Sequence, residues 1–546
     1  MDKMAKKVLL FFLSISLTGF TFSQSQLKGI ARPKLVIGLV IDQMRWDYLY
    51  RYYDLYAANG FRRLLNEGFS CENTMIPYLP TYTAPGHSCI YTGSVPAING
   101  IVGNNWFDKS TNKSVYCTDD STVSPVDGST TWGKNSPRNL LATTIGDELR
   151  LSNNFKSKVF GISLKDRASI IPAGHSANAA YWYDESLGKW ITSSYYMKEL
   201  PAWLQKVNEQ KFPDTYMNKD WNTLLPMDKY DLSTEDNKLY EGKIPGESSV
   251  TFPHRLSQIK TKIYEAFKTT PFANTYTFNL AKAVIDNEKL GSNSVTDFLA
   301  INIASTDFVG HAFGPNSVEI EDTYLRLDND ITDFLNFLDT KLGKGNYLLF
   351  LSADHGVAHV PAFLQEHNIP GGLLNQLTLT QDINLLLEKK YSLKNGVLNI
   401  QNYQVYLNNA EIQKLGKMTE VKQTVIDYLM QQSFIINAFE TEKISITSLP
   451  EPIKKMLING YYPKRSGDIH FILKPEYFDR TATGTTHGLW NPYDAHIPLI
   501  WFGWNIKHGT TNREIYMTDI APTIAAILKI QMPSGSVGKV IEEVMK

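Results

Sequence analysis

Six residues with metal-ligand chemistry stand just past apolar runs or in glycine-bearing loops. They are Asp42, Asp307 with His311, Asp354 with His355, and His487 in Gly484-Thr485-Thr486-His487-Gly488. Three carboxylates and three imidazoles suit two borderline cations, because zinc accepts imidazole nitrogen and carboxylate oxygen in one shell. Singly, each has an ordinary use: an aspartate at a strand end often caps a helix, and a lone histidine is commonly structural. Asp354-His355-Gly356, directly after Leu348-Leu349-Phe350-Leu351, is the more specific signal. One hydroxyl joins them, in Pro80-Thr81-Tyr82-Thr83-Ala84-Pro85-Gly86-His87-Ser88. Pro85 suits a first helical turn, where its missing N–H is not needed. Thr83 then lies at the N-terminal mouth of a helix through Ser88–Thr92, where N–H groups and the helix dipole favour an anion such as phosphate. A hydroxyl there is either a cap or a nucleophile. Lys165 and Arg167 are two apart, so in an extended segment their side chains share a face. The alternative for that pair is a solvated charge cluster with Asp166.

The elements that must position these residues read as alternating strands and helices. Lys34 to Ile41 is a nearly continuous apolar run, the pattern of a strand buried on both faces, and Asp42 ends it. Helical spacing follows over Tyr48–Glu67, and a helix is expected over Ser136–Leu149. Strands are expected at Lys158–Leu164, Val295–Ile303, Tyr347–Leu351 and Ile497–Phe502. Helices are expected at Tyr276–Asp286, Glu319–Leu342 and near Asp519–Leu528. The amphipathic Glu319–Leu342 stretch puts Ile320, Tyr324, Leu327, Ile331, Phe334, Leu335 and Leu338 on one face. Such alternation predicts an α/β, doubly wound, mostly parallel sheet, with ligands at the C-terminal strand ends. Two irregular stretches interrupt it, and no strong parallel strand is expected between 176 and 275. The expected organisation is a signal peptide over 1–23, core over 32–175, an insertion over 176–275, core over 276–359, an insertion or cap over 360–465, and core over 466–546.

With 546 residues, 43% hydrophobic and 20% charged, the chain is an ordinary globular one. Lys+Arg number 54 against 55 Asp+Glu, a net charge of -1, so no bulk basicity argues for a nucleic-acid partner. Lys3, Lys6 and Lys7 precede an apolar run from Val8 to about Phe22 and then Ser23-Gln24-Ser25, the pattern of a secretory signal. Ser14, Ser16, Thr18 and Gly19 break that run, which argues against a membrane anchor. No later stretch reads as a membrane span, so the expectation is a periplasmic or secreted bacterial protein without a span in its mature form. Cys71, Cys89 and Cys117 allow one disulfide and one free thiol in an oxidising compartment. Cys89, in the helix after Thr83, reads as a small buried apolar residue.

The ordered set Asp42, Thr83-Ala84-Pro85-Gly86-His87, Asn104, Asp307-x-x-Gly310-His311, Asp354-His355-Gly356 and Thr486-His487-Gly488 resembles the alkaline phosphatase superfamily. It also resembles that superfamily's phosphodiesterase/nucleotide pyrophosphatase branch, which uses a threonine nucleophile. Ser163-Leu164-Lys165-Asp166-Arg167 is similar to the phosphate-irrepressible periplasmic alkaline phosphatases, which are monoesterases. The resemblance runs from about Arg32 to the C-terminus and includes Met517-Thr518-Asp519-Ile520-Ala521-Pro522-Thr523. It implies a central sheet of the alkaline phosphatase type with two inserted cap regions, and two zinc ions. One zinc would be held by Asp307, His311 and His487. The other would be held by Asp42, Asp354, His355 and the Thr83 oxygen. Thr83 would be the nucleophile, passing through a phosphothreonine, with Asn104, Lys165 and Arg167 binding the phosphoryl group.

The implied activity is hydrolysis of small phosphate monoesters by a monomer with a broad substrate range. The alternative is a phosphodiesterase or nucleotide pyrophosphatase, with Lys165 and Arg167 as the discriminating pair, since a monoester dianion carries more charge than a diester. A different class of reading is a silent, metal-stabilised binding protein. Ligands for the third, magnesium site of serine-nucleophile phosphatases are not identified, and the sulfatase Cys/Ser-x-Pro-Ser-Arg box is absent at Thr83. His87 and His359 match no ligand position and are expected to support the site from behind. His175 is read the same way, with a peripheral substrate role left open.

Overall fold

The computed structural model describes residues 31–480 and 482–546, so the signal segment expected over 1–23 lies outside the described residues. Residues Pro33–Lys546 make one compact unit. Among the described residues, ten strands build the main sheet. In chain order they are β1 (Leu35–Ile41), β2 (Phe69–Cys71), β3 (Pro125–Val126), β4 (Val159–Ile162), β5 (Ala179–Asp184), β6 (Lys189–Ser193), β7 (Asp297–Ile303), β8 (Tyr347–Ser352), β9 (Leu499–Gly503) and β10 (Gly509–Thr511). Across the sheet the order is β10-β2-β9-β8-β1-β7-β4-β5-β6-β3. The five central strands β8-β1-β7-β4-β5 run parallel, and antiparallel pairings flank them. The fold is therefore α/β with a mostly parallel central sheet, as the strand–helix alternation predicts.

Register decides where the chemistry sits. Ile41 lies opposite Ile303, Val40 opposite Ser352, and Ile301 opposite Ile162. β1, β7, β8 and β4 thus end along one edge, the edge where open α/β sheets bind ligands. Every residue of β1, β7 and β8 is buried. Each buried Val, Leu, Ile or Phe stabilises by roughly 1.5–3 kcal/mol relative to exposure. That rigidity lets the loops beyond the strands hold like charges close together. Three helices carry candidate site side chains: α1 (Thr83–Thr92), α2 (Asp166–Ala173) and α3 (Ser305–Phe313); α4 (Val318–Leu342) follows α3. The start of α4 is set by Ser317, whose hydroxyl accepts from Ile320 N at 3.2 Å.

Three local readings differ from the structure. Tyr48–Glu67 is not one helix but Tyr48–Arg51, a 3-10 turn at Tyr53–Leu55, and Phe61–Glu67. Asp328 of α4 accepts from both Ala57 N and Phe61 N at 2.7 Å, which ends one segment and starts the next. The helix expected from Ser136 begins at Ile145, because Thr144 and Asp147 form a reciprocal cap. Within 176–275, β5 does extend the sheet, parallel to β4. Its sequence, Ala-Ala-Tyr-Trp-Tyr-Asp, is buried throughout yet lacks the branched aliphatics that mark an interior strand.

A second core forms around a four-stranded antiparallel sheet, ordered Val397–Gln401, Gln404–Leu407, Ile469–Leu473 and Ile435–Glu440. Cys71, Cys89 and Cys117 are all free and buried, so the disulfide that composition allowed is absent. No helix among the described residues is long and apolar enough to cross a membrane.

Residues 221–255 fold over the start of α4 through a buried histidine. His254 Nδ1 lies 2.9 Å from Glu247 Oε2, and its Nε2 lies 3.2 Å from Glu319 Oε1. Burial works against its charge, but hydrogen bonds and charge from Glu247 and Glu319 prevail and hold its pKa up to about 9. An unfolded histidine titrates near ~6.5. A raised folded pKa gives stability that is complete below the unfolded value and is lost as pH climbs through about 9. The contribution is of the order of ~3 kcal/mol at most. Melting curves of wild type and His254→Asn are expected to differ most near pH ~6 and to converge above pH ~9. A pH-independent gap would contradict this.

Candidate active site

Thr83 is the first residue of α1, and the cap position before it belongs to Tyr82, with no side-chain capping bond. Its hydroxyl is therefore not serving as a helix cap. It is 1% exposed and its Oγ1 lies 3.4 Å from His355 Nε2. Gly86 lets this helix approach the loop after β8: a Cβ there would stand 2.5 Å from Asp354 O and 2.7 Å from Asp354 Cβ. The next backbone N–H, Ala84 N, donates to Asn104 Oδ1 at 2.9 Å, which fixes the Asn104 amide beside the helix start.

The six predicted ligand residues converge. Asp42 follows β1, Asp354 and His355 follow β8, and Asp307 and His311 lie one turn apart on α3. His355 Nε2 is 3.6 Å from Asp42 Oδ1 and 3.4 Å from Asp354 Oδ2. His311 Nε2 is 3.1 Å from Asp307 Oδ1, and His487 Nε2 is 3.8 Å from the same oxygen. The His355 and His487 rings stack with centroids 3.4 Å apart, joining the two groups. Asp307, His311 and His487 together have the spacing of a metal-binding trio. So do Asp42, Asp307 and His355, and Asp42, His87 and Asp354.

The donor set fits cations. His311 Nδ1 faces Thr485 O at 2.8 Å, His355 Nδ1 faces Gly356 O at 2.9 Å, and His487 Nδ1 faces Thr81 O at 2.7 Å. A carbonyl only accepts, so each Nδ1 carries a proton and each Nε2 is the nitrogen turned to carboxylate oxygens. Burial disfavours the charged forms of His355 and His487, so theirs are lone pairs. Lone pairs facing carboxylates call for a cation between them. Asp354 Oδ2 is buried without a hydrogen bond, and Asp42 Oδ1 meets Lys165 Nζ at 2.9 Å but out of line for one. Burial, and for Asp42 also the Asp354 charge, pushes both carboxyls up to about 7. Burial lowers His355 to about 4 and holds His487 well below its ordinary value. Burial also acts to raise Asp307, but His311 and Lys165 outweigh it and hold that carboxyl well below the usual range.

Lys165 and Arg167 do not lie in an extended segment, because α2 starts at Asp166. Lys165 turns inward, its Nζ 2.9 Å from Asp42 Oδ1 and 2.6 Å from Asp307 Oδ2. Arg167 donates to Tyr116 OH at 3.1 Å, and Tyr116 OH donates to Asp166 Oδ1 at 2.5 Å. The pair is thus not a solvated cluster. His87 Nε2 is 3.7 Å from Asp354 Oδ2, behind the site. His359 pairs with Glu476 at 2.9 Å, and His175 is occupied by Asp147 and Leu140 O, so both are tied into the scaffold.

Two contributors escaped the sequence reading. Gln43 donates from Nε2 to Asp307 Oδ1 at 2.7 Å and from its backbone N to Asp354 Oδ1 at 3.1 Å, so it braces both halves. Gly310 leaves the room, since a Cβ there would collide with Gln43 Oε1. Adjacency to Asp42 was the only available signal for Gln43. Tyr116 gave none, because its link to Arg167 spans 51 positions.

Fold and site together define a class: a doubly wound α/β scaffold gathering carboxylates and imidazoles, at spacings that could hold metal, around a helix-borne threonine. The chain belongs to the type I phosphodiesterase / nucleotide pyrophosphatase family, whose model matches residues 36–494. It is 51% identical over 517 residues to alkaline phosphatase PhoV of Synechococcus elongatus, covering 95% of this chain and 94% of that one. It is also 51% identical over 525 residues to alkaline phosphatase PafA of Elizabethkingia meningoseptica, covering 95% of each. A crystal structure of wild-type alkaline phosphatase PafA matches with a TM-score of 0.93 at 50% identity, over 95% of this chain and 100% of that one. A relative from Myroides odoratus, 51% identical over 533 residues and covering 96% of this chain and 97% of its own, is named a calcium-transporting ATPase.

Proposed function

We propose that this protein is an alkaline phosphatase hydrolysing a broad range of small phosphate monoesters through Thr83. The observation that carries the reading is the uncapped Thr83 hydroxyl, 3.4 Å from His355 Nε2 amid six convergent ligands. Asp42, Asp354, His355 and the Thr83 oxygen would hold one zinc; Asp307, His311 and His487 would hold the other. Bound zinc supplies Lewis acidity and favours the deprotonated form of a hydroxyl or water in contact with it. Thr83 Oγ1 gives up its proton to solvent and attacks phosphorus in line; its bond to phosphorus forms as the ester P–O bond breaks, and the departing oxygen takes a proton from water to leave as the alcohol. Water then cleaves the phosphothreonine, releasing phosphate and restoring the hydroxyl. Asn104 spends its Oδ1 on Ala84 N, which leaves its NH2 to donate to a phosphoryl oxygen. Lys165 and Arg167 offset the charge of the monoester dianion.

Beyond β5 and β6, which belong to the main sheet, the rest of 176–275 and the segment 360–465 are read as cap regions shaping access. In support, Tyr240 O accepts from Gly484 N at 2.9 Å, and Asn402 Nδ2 donates to Asn105 O at 2.8 Å, beside Asn104. Export through the segment over 1–23 to the periplasm or medium, and action as a monomer, complete the reading.

The family match also supports a phosphodiesterase or nucleotide pyrophosphatase reading, which shares Thr83 and the ligands. Steady-state turnover of an aryl phosphate monoester and its matched diester by the zinc-loaded protein separates the two. A strong monoester preference is expected. A diester preference would move the enzyme to the other branch, and turnover of neither would return it to the binding-protein reading.

A further inference from the structure

Phe308 follows Asp307 on α3, and two ammonium groups lie over its ring. Lys165 Nζ is 5.2 Å from the ring centroid and Lys268 Nζ is 4.5 Å from it. The Lys165 side chain is 2% exposed, and its charged partners are the carboxylates of Asp42 and Asp307. Those two carboxylates belong to the ligand set assigned to metal above. A carboxylate committed to a metal ion no longer compensates a neighbouring lysine fully, and a buried, unpaired ammonium is costly. An aromatic face attracts an ammonium through its quadrupole, carries no proton of its own, and is not a ligand for zinc. Lys268 is itself ion-paired with Glu185, so the same ring is also gripped from the 176–275 segment.

We propose that Phe308 is a positioning residue for Lys165. Its ring holds the ammonium beside Asp42 and Asp307 when those carboxylates are engaged, and that cluster reaches Thr83 through the Asp42–His355 and His355–Thr83 contacts. The inference rests on the monoesterase reading in one respect, that Lys165 binds the phosphoryl group.

The test uses the full, zinc-loaded chain as wild type, Phe308→Leu, Phe308→Tyr, Lys165→Ala, and Lys165→Ala combined with Phe308→Leu. Two quantities are read: kcat/KM for an aryl phosphate monoester and matched diester, and Kd for inorganic phosphate by calorimetry. Phe308→Leu retains apolar bulk but loses the ring face. It is expected to weaken phosphate binding and monoester kcat/KM by about 2- to 30-fold, the range of a cation–π contact. The diester should change by about twofold or less, because it presents less charge to Lys165. Phe308→Tyr should behave as wild type. In the Lys165→Ala background, Phe308→Leu should add nothing. Equal losses in both backgrounds, or a tyrosine variant as impaired as the leucine one, would overturn the proposal while leaving the role of Lys165 standing. A Lys165→Ala variant with unchanged monoester turnover and phosphate affinity would overturn both.

Discussion

Replacing Thr83 by alanine is expected to lower monoester turnover of the zinc-loaded protein by about 10⁴-fold or more while leaving the fold and the capacity to hold metal in place. The side chain is buried and small, and its hydroxyl makes no capping bond, so helix α1 loses little when it goes. Six other side chains remain to hold metal. Thr83→Ser keeps the hydroxyl and should retain activity within about tenfold, since only a methyl that restricts the rotamer is lost. Zinc content by elemental analysis, together with the melting temperature, separates loss of the hydroxyl from loss of the site. Near-normal turnover by a zinc-loaded Thr83→Ala protein would rule out the covalent route.

The second large effect concerns Lys165 and Arg167. Removing both side chains should lower kcat/KM for a monoester by about 10³-fold and for a diester by about tenfold or less. The argument is one of charge: a monoester dianion gains more from two cations in a buried site than a monoanionic diester does. Partners set the size of each single effect. Lys165→Ala leaves Asp42 and Asp307 facing each other without their cation, so it should also shift zinc affinity. Arg167→Ala leaves the Tyr116–Asp166 hydrogen bond intact, so it should act on substrate alone. Measuring monoester and diester kinetics beside zinc affinity for the two single variants and the double variant tests this. Parallel losses on both ester types would remove the pair from the discrimination.

The sequence by itself determined the frame and the cast. β1 and β8 were legible because a strand buried on both faces must be a continuous apolar run, and their ends announced Asp42, Asp354 and His355. The helix from Thr83 was legible because Pro85 and the turn before it act locally. What failed locally failed for one reason: contacts distant in sequence override neighbours. Asp328, 267 positions away, splits the Tyr48–Glu67 stretch by capping Phe61 N. β5 is an interior strand only because its neighbours bury it.

Tertiary structure alone decided three features of the site. Thr485 O, Gly356 O and Thr81 O fix which imidazole nitrogens face the carboxylates, two of them from far along the chain. Gln43 bridges Asp307 and Asp354 through the space left at Gly310. Lys165 turns from the end of β4 to carboxylates beyond β1 and β7, parted from Arg167 by the start of α2. Residue type and spacing name the groups able to do chemistry. Their protonation, orientation and charge depend on distances across the sheet, which only the folded chain sets.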